Sequence, residues 1–507
     1  MNVQRRGRRA DAAHSPIHQL PWQQPQHTLE FSRILSDDHI EAIHRQSLKV
    51  LEELGMDVLL PEARDILQKA GARVSGERVR IGRDIIEEAL KTPPSEFTFH
   101  ARNPAHSIRV GGKWIAFAPV GGPPNCSDLD RGRRPGTLED AGNFVKLAQF
   151  FNTVHTAGGA SVDALDVHAS IRHLHITRNK MVYSDKVPFI YATGKARLLD
   201  GLEIVRLARG ISHEQLLREP SAYTVINTNS PLKLDAPMAM GIIEMARLNQ
   251  IVVVTPFTLL GAMAPVTLAG ALVEQNAEAL AGLALSQLAR PGAPFVYGGF
   301  TSNVDMKSGA PAFGTPEYMK ACIIGGQLAR RYKLPYRTSS TNAANSVDAQ
   351  AAYETVFSLW GAVMGGGNVI QHAAGWMEGG LVASYEKFAL DVDLLQMVQE
   401  FLKPVLVNDD EMAFSAMEEV GPGGHFFGAQ HTLERYATAF YQPLISDWRN
   451  FPNWEAAGRP TAEKKANALW KQALAEYTPP HLDPAALADI DAFVARRVSE
   501  GGEKTDF

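Results

Sequence analysis

The chain has 507 residues, 45% hydrophobic and 21% charged, which suits a large buried core and excludes a disordered or fibrous protein. Fifty Lys and Arg against 55 Asp and Glu leave a net charge of −5, without the basic excess that a nucleic-acid partner requires. Two cysteines, Cys126 and Cys322, make neither a disulfide framework nor a zinc ribbon. No apolar h-region follows the N-terminal arginine pairs, so a cytoplasmic protein is expected.

Residues 1–35, opening MNVQRRGRRADAAHSP, are polar and aperiodic and are expected to form a disordered tail. Residues 36–140 read as a helical and hairpin extension. Ser36 offers an N-cap, Ile40, Ile43, Leu48, Leu51 and Leu54 recur near helical spacing, and Gly55 stops the helix. Pro61 to Gly71 repeats the pattern, and a glycine-rich connector follows over 97–140.

From 141 to 430 short apolar runs alternate with amphipathic helical patterns. The runs lie at 152–159, 188–194, 222–231, 251–261, 294–302, 335–341, 368–377 and 404–412. Eight such units in about 260 residues predict an α/β fold, a (β/α)₈ TIM-type barrel. A doubly wound open sheet is the alternative, but no strand is followed by GxGxxG or GxxxxGK[ST]. The uncharged stretch from Gln250 to Val273 has the length of a membrane span. Pro256, Gly261 and Pro265 interrupt it, so it reads as strand, loop and buried helix. Residues 431–507 are expected to add helices packed on the barrel.

Barrel active sites form at the carboxyl ends of the strands. Those ends supply Asn227, Phe257, Tyr297, Phe300, Arg337, Gln371, His372 and Trp376, with Asp409, Asp410 and Glu411 after the eighth run. No strand-end lysine stands ready for a Schiff base. His168, His173 and His175, at i, i+5 and i+7, do not share a helical face, so no metal is expected. Aromatic faces attract a quaternary ammonium, and the fork of Arg337 suits a carboxylate. The plainer alternatives are a structural ion pair for Arg337 and ordinary packing for the rings. The residues alone point to a small polar or zwitterionic ligand in a barrel mouth.

Several stretches then add a resemblance: HIEAIHRQSLKVLEELGMDV, the Arg102-Asn103-Pro104 turn, GGPPNCSDLDRGRRPGTLED, DAQAAYE and GPGGHFFGAQHT. In order and spacing, from about Leu35 to Leu482, they resemble the corrinoid-dependent trimethylamine methyltransferase family, whose fold is a (β/α)₈ barrel. Its trimethylamine enzymes carry pyrrolysine in the region matching PYRTSSTNAANSVDAQ, where this chain has only standard residues. The resemblance therefore implies the non-pyrrolysine branch, which demethylates quaternary amines such as glycine betaine.

It also implies that the corrinoid (cobalamin) arrives on a separate protein marked by DxHxxG. Here Asp166-Val167-His168 is not followed by the glycine. A quaternary amine already bears an activated methyl, so no general acid is required and no catalytic side chain is assigned. The expected substrate-binding residues are Arg337, His372, Gln371, Phe257, Tyr297, Trp376 and Asn227, with His425 of GPGGHFF as a second candidate for the carboxylate. A homo-oligomer is expected. The alternatives are a lyase or hydrolase using His372 and Asp409 as acid and base, and a non-catalytic barrel that binds methylated amines.

Overall fold

Short strands, each followed by a helix, organise the computed structural model, which describes residues 17–159 and 161–503. The strands are β1 (Ala116–Phe117), β2 (Thr156–Gly158), β3 (Val187–Pro188), β4 (Tyr223–Ile226), β5 (Ile251–Val254), β6 (Phe295–Gly298), β7 (Tyr336–Ser339) and β8 (Val369–Gln371). The helices that follow them are α1 (Leu138–Phe150), α2 (Ala169–Tyr183), α3 (Lys195–Arg209), α4 (Ala236–Arg247), α5 (Leu268–Ala289), α6 (Pro316–Arg331), α7 (Ala349–Met364) and α8 (Tyr385–Phe401).

Six strands form one parallel sheet in the order β4-β5-β6-β7-β8-β1, a half-barrel, and β2 pairs with β3 in parallel beside it. Two single contacts border the gaps. A parallel bridge joins Phe189 to Tyr223, and the His155 amide donates to the Phe117 carbonyl at 2.8 Å. Strands buried on both faces need no polar alternation, which is why β5 reads IVVV.

Seven of the eight expected runs hold a strand. The run at 404–412 does not: Val405, Leu406 and Val407 are exposed, and Asp409–Met412 is a short helix. Its expected place beside β8 belongs to β1, so the sheet reaches back across the boundary expected at 141. Two residues are too few to show a period, whereas PVLVN carries the composition of a strand with no neighbour to pair with.

The tail expected to be disordered is also different from residue 17 onward; residues 1–16 lie outside the described ones. Residues 17–35 are strapped to the body. Gln26 bridges Trp114, the Ile115 amide donates to the Pro25 carbonyl at 3.0 Å, and His27 Nε2 bonds the Val363 carbonyl at 2.5 Å. Such a strap takes its order from partners distant in sequence, so it carries no local pattern.

Side-chain alternation sorts the strands into an outer and an inner set. Val252, Val254, Phe295, Tyr297 and Tyr336 pack outward among the helices. Ile251, Val253, Val296 and Val369 meet Phe99, Ile108 and Val110 of the hairpin Glu96–Phe99/Ile108–Gly111. That hairpin sits at the amino ends of the strands, where the His100 amide donates to Pro220 O at 2.8 Å. The carboxyl ends are left as the open end. Two C-terminal helices complete the outer layer: α9 (Ala462–Glu476) packs on α8 and α1, and α10 (Pro484–Ser499) on α2 and α3. Among the described residues no helix is long and apolar enough to cross a membrane, and Gln250–Val273 divides into β5, strand Phe257–Leu260 and the start of α5.

Candidate active site at the carboxyl ends of the strands

A cavity of about 750 Å³ opens at the carboxyl ends of the strands. Six of the eight expected binding residues line it: Arg337, His372, Gln371, Phe257, Trp376 and Asn227. Arg337 stands inward on β7 because its neighbour Tyr336 faces outward, and only 3% of it is exposed. Its Nη2 lies 3.3 Å from His372 Nε2, while Nε and Nη1 are buried without a protein partner. Among the described residues no carboxylate pairs with it, so the structural ion pair is not what Arg337 makes. Burial pushes its pKa down to about 10, which leaves it charged at neutral pH. A buried, unneutralised guanidinium is costly on its own and is stabilised by an anion that accepts its paired donors.

His372 is held neutral. Burial and, after it, the charge of Arg337 lower its pKa well below the usual imidazole range, so its Nε2 accepts from the guanidinium. It adopts a left-handed φ of 59°, rare outside glycine, in the turn that carries the chain from β8 to Trp376. The Gly375 amide in that turn donates to buried Asp391 at 2.8 Å, which in turn pairs with Lys387.

Beside Arg337 the rings form a wall. Phe300 lies 5.1 Å from Phe257 and 6.1 Å from Trp376, and Trp376 lies 4.1 Å from His372, centroid to centroid. The guanidinium carbon of Arg337 sits 5.3 Å from the Phe300 ring centre. Trp376 is fixed by its indole N–H, which donates to the Asn342 carbonyl at 3.1 Å. Gly380 keeps the space beside it free, since a Cβ there would come within 2.5 Å of the indole.

Two amides complete the polar lining: Gln371 donates to the Tyr223 hydroxyl at 2.8 Å, and Asn227 to the Thr255 carbonyl at 2.8 Å. The loop after β4 is drawn onto α5 by buried Glu278, which accepts from Thr228, from Ser230 at 2.7 Å and from the Leu232 amide at 2.6 Å.

Two expected residues are elsewhere. Tyr297 points outward from β6, where its hydroxyl accepts from Gln275 and donates to Asn276, both at 2.9 Å. One step of strand alternation separates it from the cavity. His425 is exposed in the segment after α8, with its ring 6.1 Å from Phe427. Asp409, proposed partner of His372 in acid–base chemistry, is exposed in the same segment and does not line the cavity. Of the three spaced histidines, His173 bonds Asp200 at 2.9 Å and His168 caps α2. Among the described residues no group of three or more His, Cys, Asp or Glu could hold a metal ion.

A further part of the lining is built from residues not among those expected. Phe189, Tyr191 and Asp163 form it, and the buried amine of Lys180 sits 5.1 Å and 5.2 Å from the two ring centres, donating to the Phe189 carbonyl at 3.0 Å. Burial pushes Lys180 down to about 7 and raises Asp163. The alternation Phe189-Ile190-Tyr191, with Ile190 in the outer core, is the signal that marks these rings as inward.

Comparisons with known proteins bear on this geometry. The family model described as trimethylamine methyltransferase (MTTB) matches residues 2–502. A glycine betaine methyltransferase of Desulfitobacterium hafniense strain Y51 is 37% identical over 93% of this chain and 98% of that protein. The trimethylamine methyltransferase MttB of Desulfitobacterium hafniense strain DSM 10664 / DCB-2 is 29% identical over 92% of this chain and 94% of that protein. The solved monomethylamine methyltransferase of Methanosarcina barkeri shares the α/β fold with a TM-score of 0.53 at 12% identity, over 89% of this chain and 91% of that one. A match over nearly the whole length, with a curated relative above 30% identity, places the chain in the trimethylamine methyltransferase family, and it is a methyltransferase.

Proposed function

We propose that this methyltransferase takes its methyl group from a betaine-type quaternary amine, a trimethylammonium joined to a carboxylate, and delivers it to a corrinoid held by a separate protein. The observation that carries the reading is Arg337, a buried cation with two unpartnered nitrogens set against the Phe257–Phe300–Trp376 wall. The carboxylate meets the guanidinium fork, and the trimethylammonium rests on the rings. Neutral His372 adds no second positive charge beside that cation. The full-length match to a protein named glycine betaine methyltransferase supports the same donor.

The residues present fit a corrinoid brought by its own carrier. The cavity exceeds the volume of a betaine, and Gly121, Gly122, Gly159, Gly379 and Gly380 leave bare backbone around it for a flat macrocycle. Asp166 and His168, a coincidental partial match to the corrinoid-binding pattern, accept instead from the Leu138 and Ser170 amides at helix starts. When bound, the corrinoid supplies a cobalt(I) nucleophile. The chain's own part is to anchor the carboxylate, hold the ammonium so that one methyl faces outward, and exclude water. The departing tertiary amine is neutral, so the step demands no proton from the cavity. We further propose that the β2–β3 pair closes the six-stranded sheet into a (β/α)₈ barrel; the Phe189–Tyr223 bridge and the His155–Phe117 hydrogen bond support that closure.

The test is incubation with cob(I)alamin and, separately, glycine betaine, choline and trimethylamine, following loss of the cob(I)alamin absorbance and release of the demethylated amine. Betaine is the expected donor. Equal or faster reaction with trimethylamine overturns the reading.

A further inference from the structure

The segment between α8 and α9 leaves the body as an arm with an unusual surface. Val405, Phe414, Phe427, Tyr436, Phe440, Trp448 and Phe451 are all exposed, with Val405 at 87%, Phe427 at 86% and Phe440 at 77%. Among the described residues, the hydrogen bonds of 408–439 stay within the arm. Its root is firm: Asp393 on α8 accepts from the Tyr441 hydroxyl at 2.5 Å and the Leu444 amide at 2.8 Å.

A second uncovered apolar surface lies on the body. Tyr353, Phe357 and Trp360 recur at i, i+4 and i+7 along α7, and Trp360 meets Phe401 of α8 edge-on at 5.0 Å. Tyr353, Phe357, Phe401 and Met397 are exposed.

We propose that the arm of one copy lies across the α7–α8 face of a second copy, and reciprocally, making a two-fold dimer. A reciprocal pairing uses each surface twice and leaves neither open, as an isologous interface requires. At roughly 200 Å² for a fully exposed aromatic side chain, and with 63–86% of each exposed, the six arm aromatics alone offer about 870 Å², which matches one side of a standard interface at about 800 Å² per partner. An aromatic surface of that size suits a permanent partner. A corrinoid carrier that must leave after each turnover calls for a smaller and more polar contact. Residues 1–16 contain no aromatic side chain to cover the arm.

Light scattering on the full chain after gel filtration is expected to give the mass of two copies. Phe427→Ser with Phe440→Ser on the arm, and Tyr353→Glu on the face, are each expected to give the mass of one. Circular dichroism checks the fold of each variant. Cross-linking gives an independent readout. A Tyr353→Cys chain mixed with a Phe427→Cys chain is expected to form a bismaleimide-linked pair that neither forms as efficiently alone. The native thiols are buried and unreactive, pushed up to about 12 for Cys126 and about 11 for Cys322.

If the substituted chains do not fold, the wild-type melting temperature decides: a dimer's rises with protein concentration. A wild-type chain that stays monomeric, a melting temperature that ignores concentration, or a dimer that survives both sets of folded substitutions overturns the proposal. So does a monomer that pairs only when a corrinoid-carrying protein is added.

Discussion

In the proposed betaine complex, Arg337 and the rings around it divide the binding task by chemistry. The guanidinium offers paired donors to an anion, and the rings offer negative faces to a cation, so a zwitterion is matched at both ends. A charge-assisted hydrogen bond contributes about 1.5–3 kcal/mol. Arg337→Lys keeps the charge and loses the fork, so it is expected to lower kcat/KM for betaine by about one to two orders of magnitude. Choline, without a carboxylate, should change far less. Initial rates against concentration for both donors test this, and equal losses would make Arg337 a structural residue.

Phe300→Leu keeps bulk and removes the ring, at a cost of about 1–2 kcal/mol for a desolvated cation–π contact. KM for betaine is then expected to rise about five- to thirtyfold, while KM for a small neutral amine holds; unchanged betaine kinetics would place the ammonium elsewhere. Arg337, His372 and Trp376 are legible as cavity-lining residues because they stand at or just beyond strand carboxyl ends. Tyr297 was misread because the same run does not declare which of its alternate residues faces inward, and helix α5 settles that by hydrogen-bonding the hydroxyl.

At the scale of elements, one histidine joins three pieces of chain. Buried His155 accepts the Phe117 amide of β1 at Nδ1 (3.0 Å), donates from Nε2 to Gln23 O of the strap (3.0 Å), and gives its own amide to Phe117 O. Protonating Nδ1 would set two donors face to face. Burial accordingly pushes the group down to about 4, against about 6.5 in the unfolded chain. The unfolded chain then binds the extra proton between these values, so this contribution is complete above about pH 6.5 and is lost as the pH falls toward 4. Melting temperature against pH should therefore fall more steeply over that window for wild type than for His155→Gln. Parallel curves would show that the joint does not titrate. The strands of the sheet are legible as short apolar runs alternating with amphipathic helical patterns; β1 gains its identity only by pairing with β8.

For the whole molecule, the strap and the arm are opposite cases of chain that leaves the strand–helix units. The strap supplies acceptors for the Ile115 amide and for His155 Nε2. Each group left unpaired in the interior costs about 1–3 kcal/mol. Deleting residues 1–28 is expected to lower the melting temperature by several degrees, as calorimetry would show; an unchanged value would mean that solvent replaces the strap. The sequence by itself determined the alternating strand–helix architecture, the carboxyl-end location of the cavity, the guanidinium beside the rings and the family. All of these follow from local composition, from periodicity or from motif order along the chain. Only the tertiary structure decided that Ala116–Phe117 takes the place expected of 404–412, that Tyr297 faces outward, that Tyr191 and Asp163 face the cavity, and that Lys180 underlies that wall. Those outcomes depend on which distant segment satisfies a backbone group or fills a space, and a chain read residue by residue carries no record of the partner across the fold.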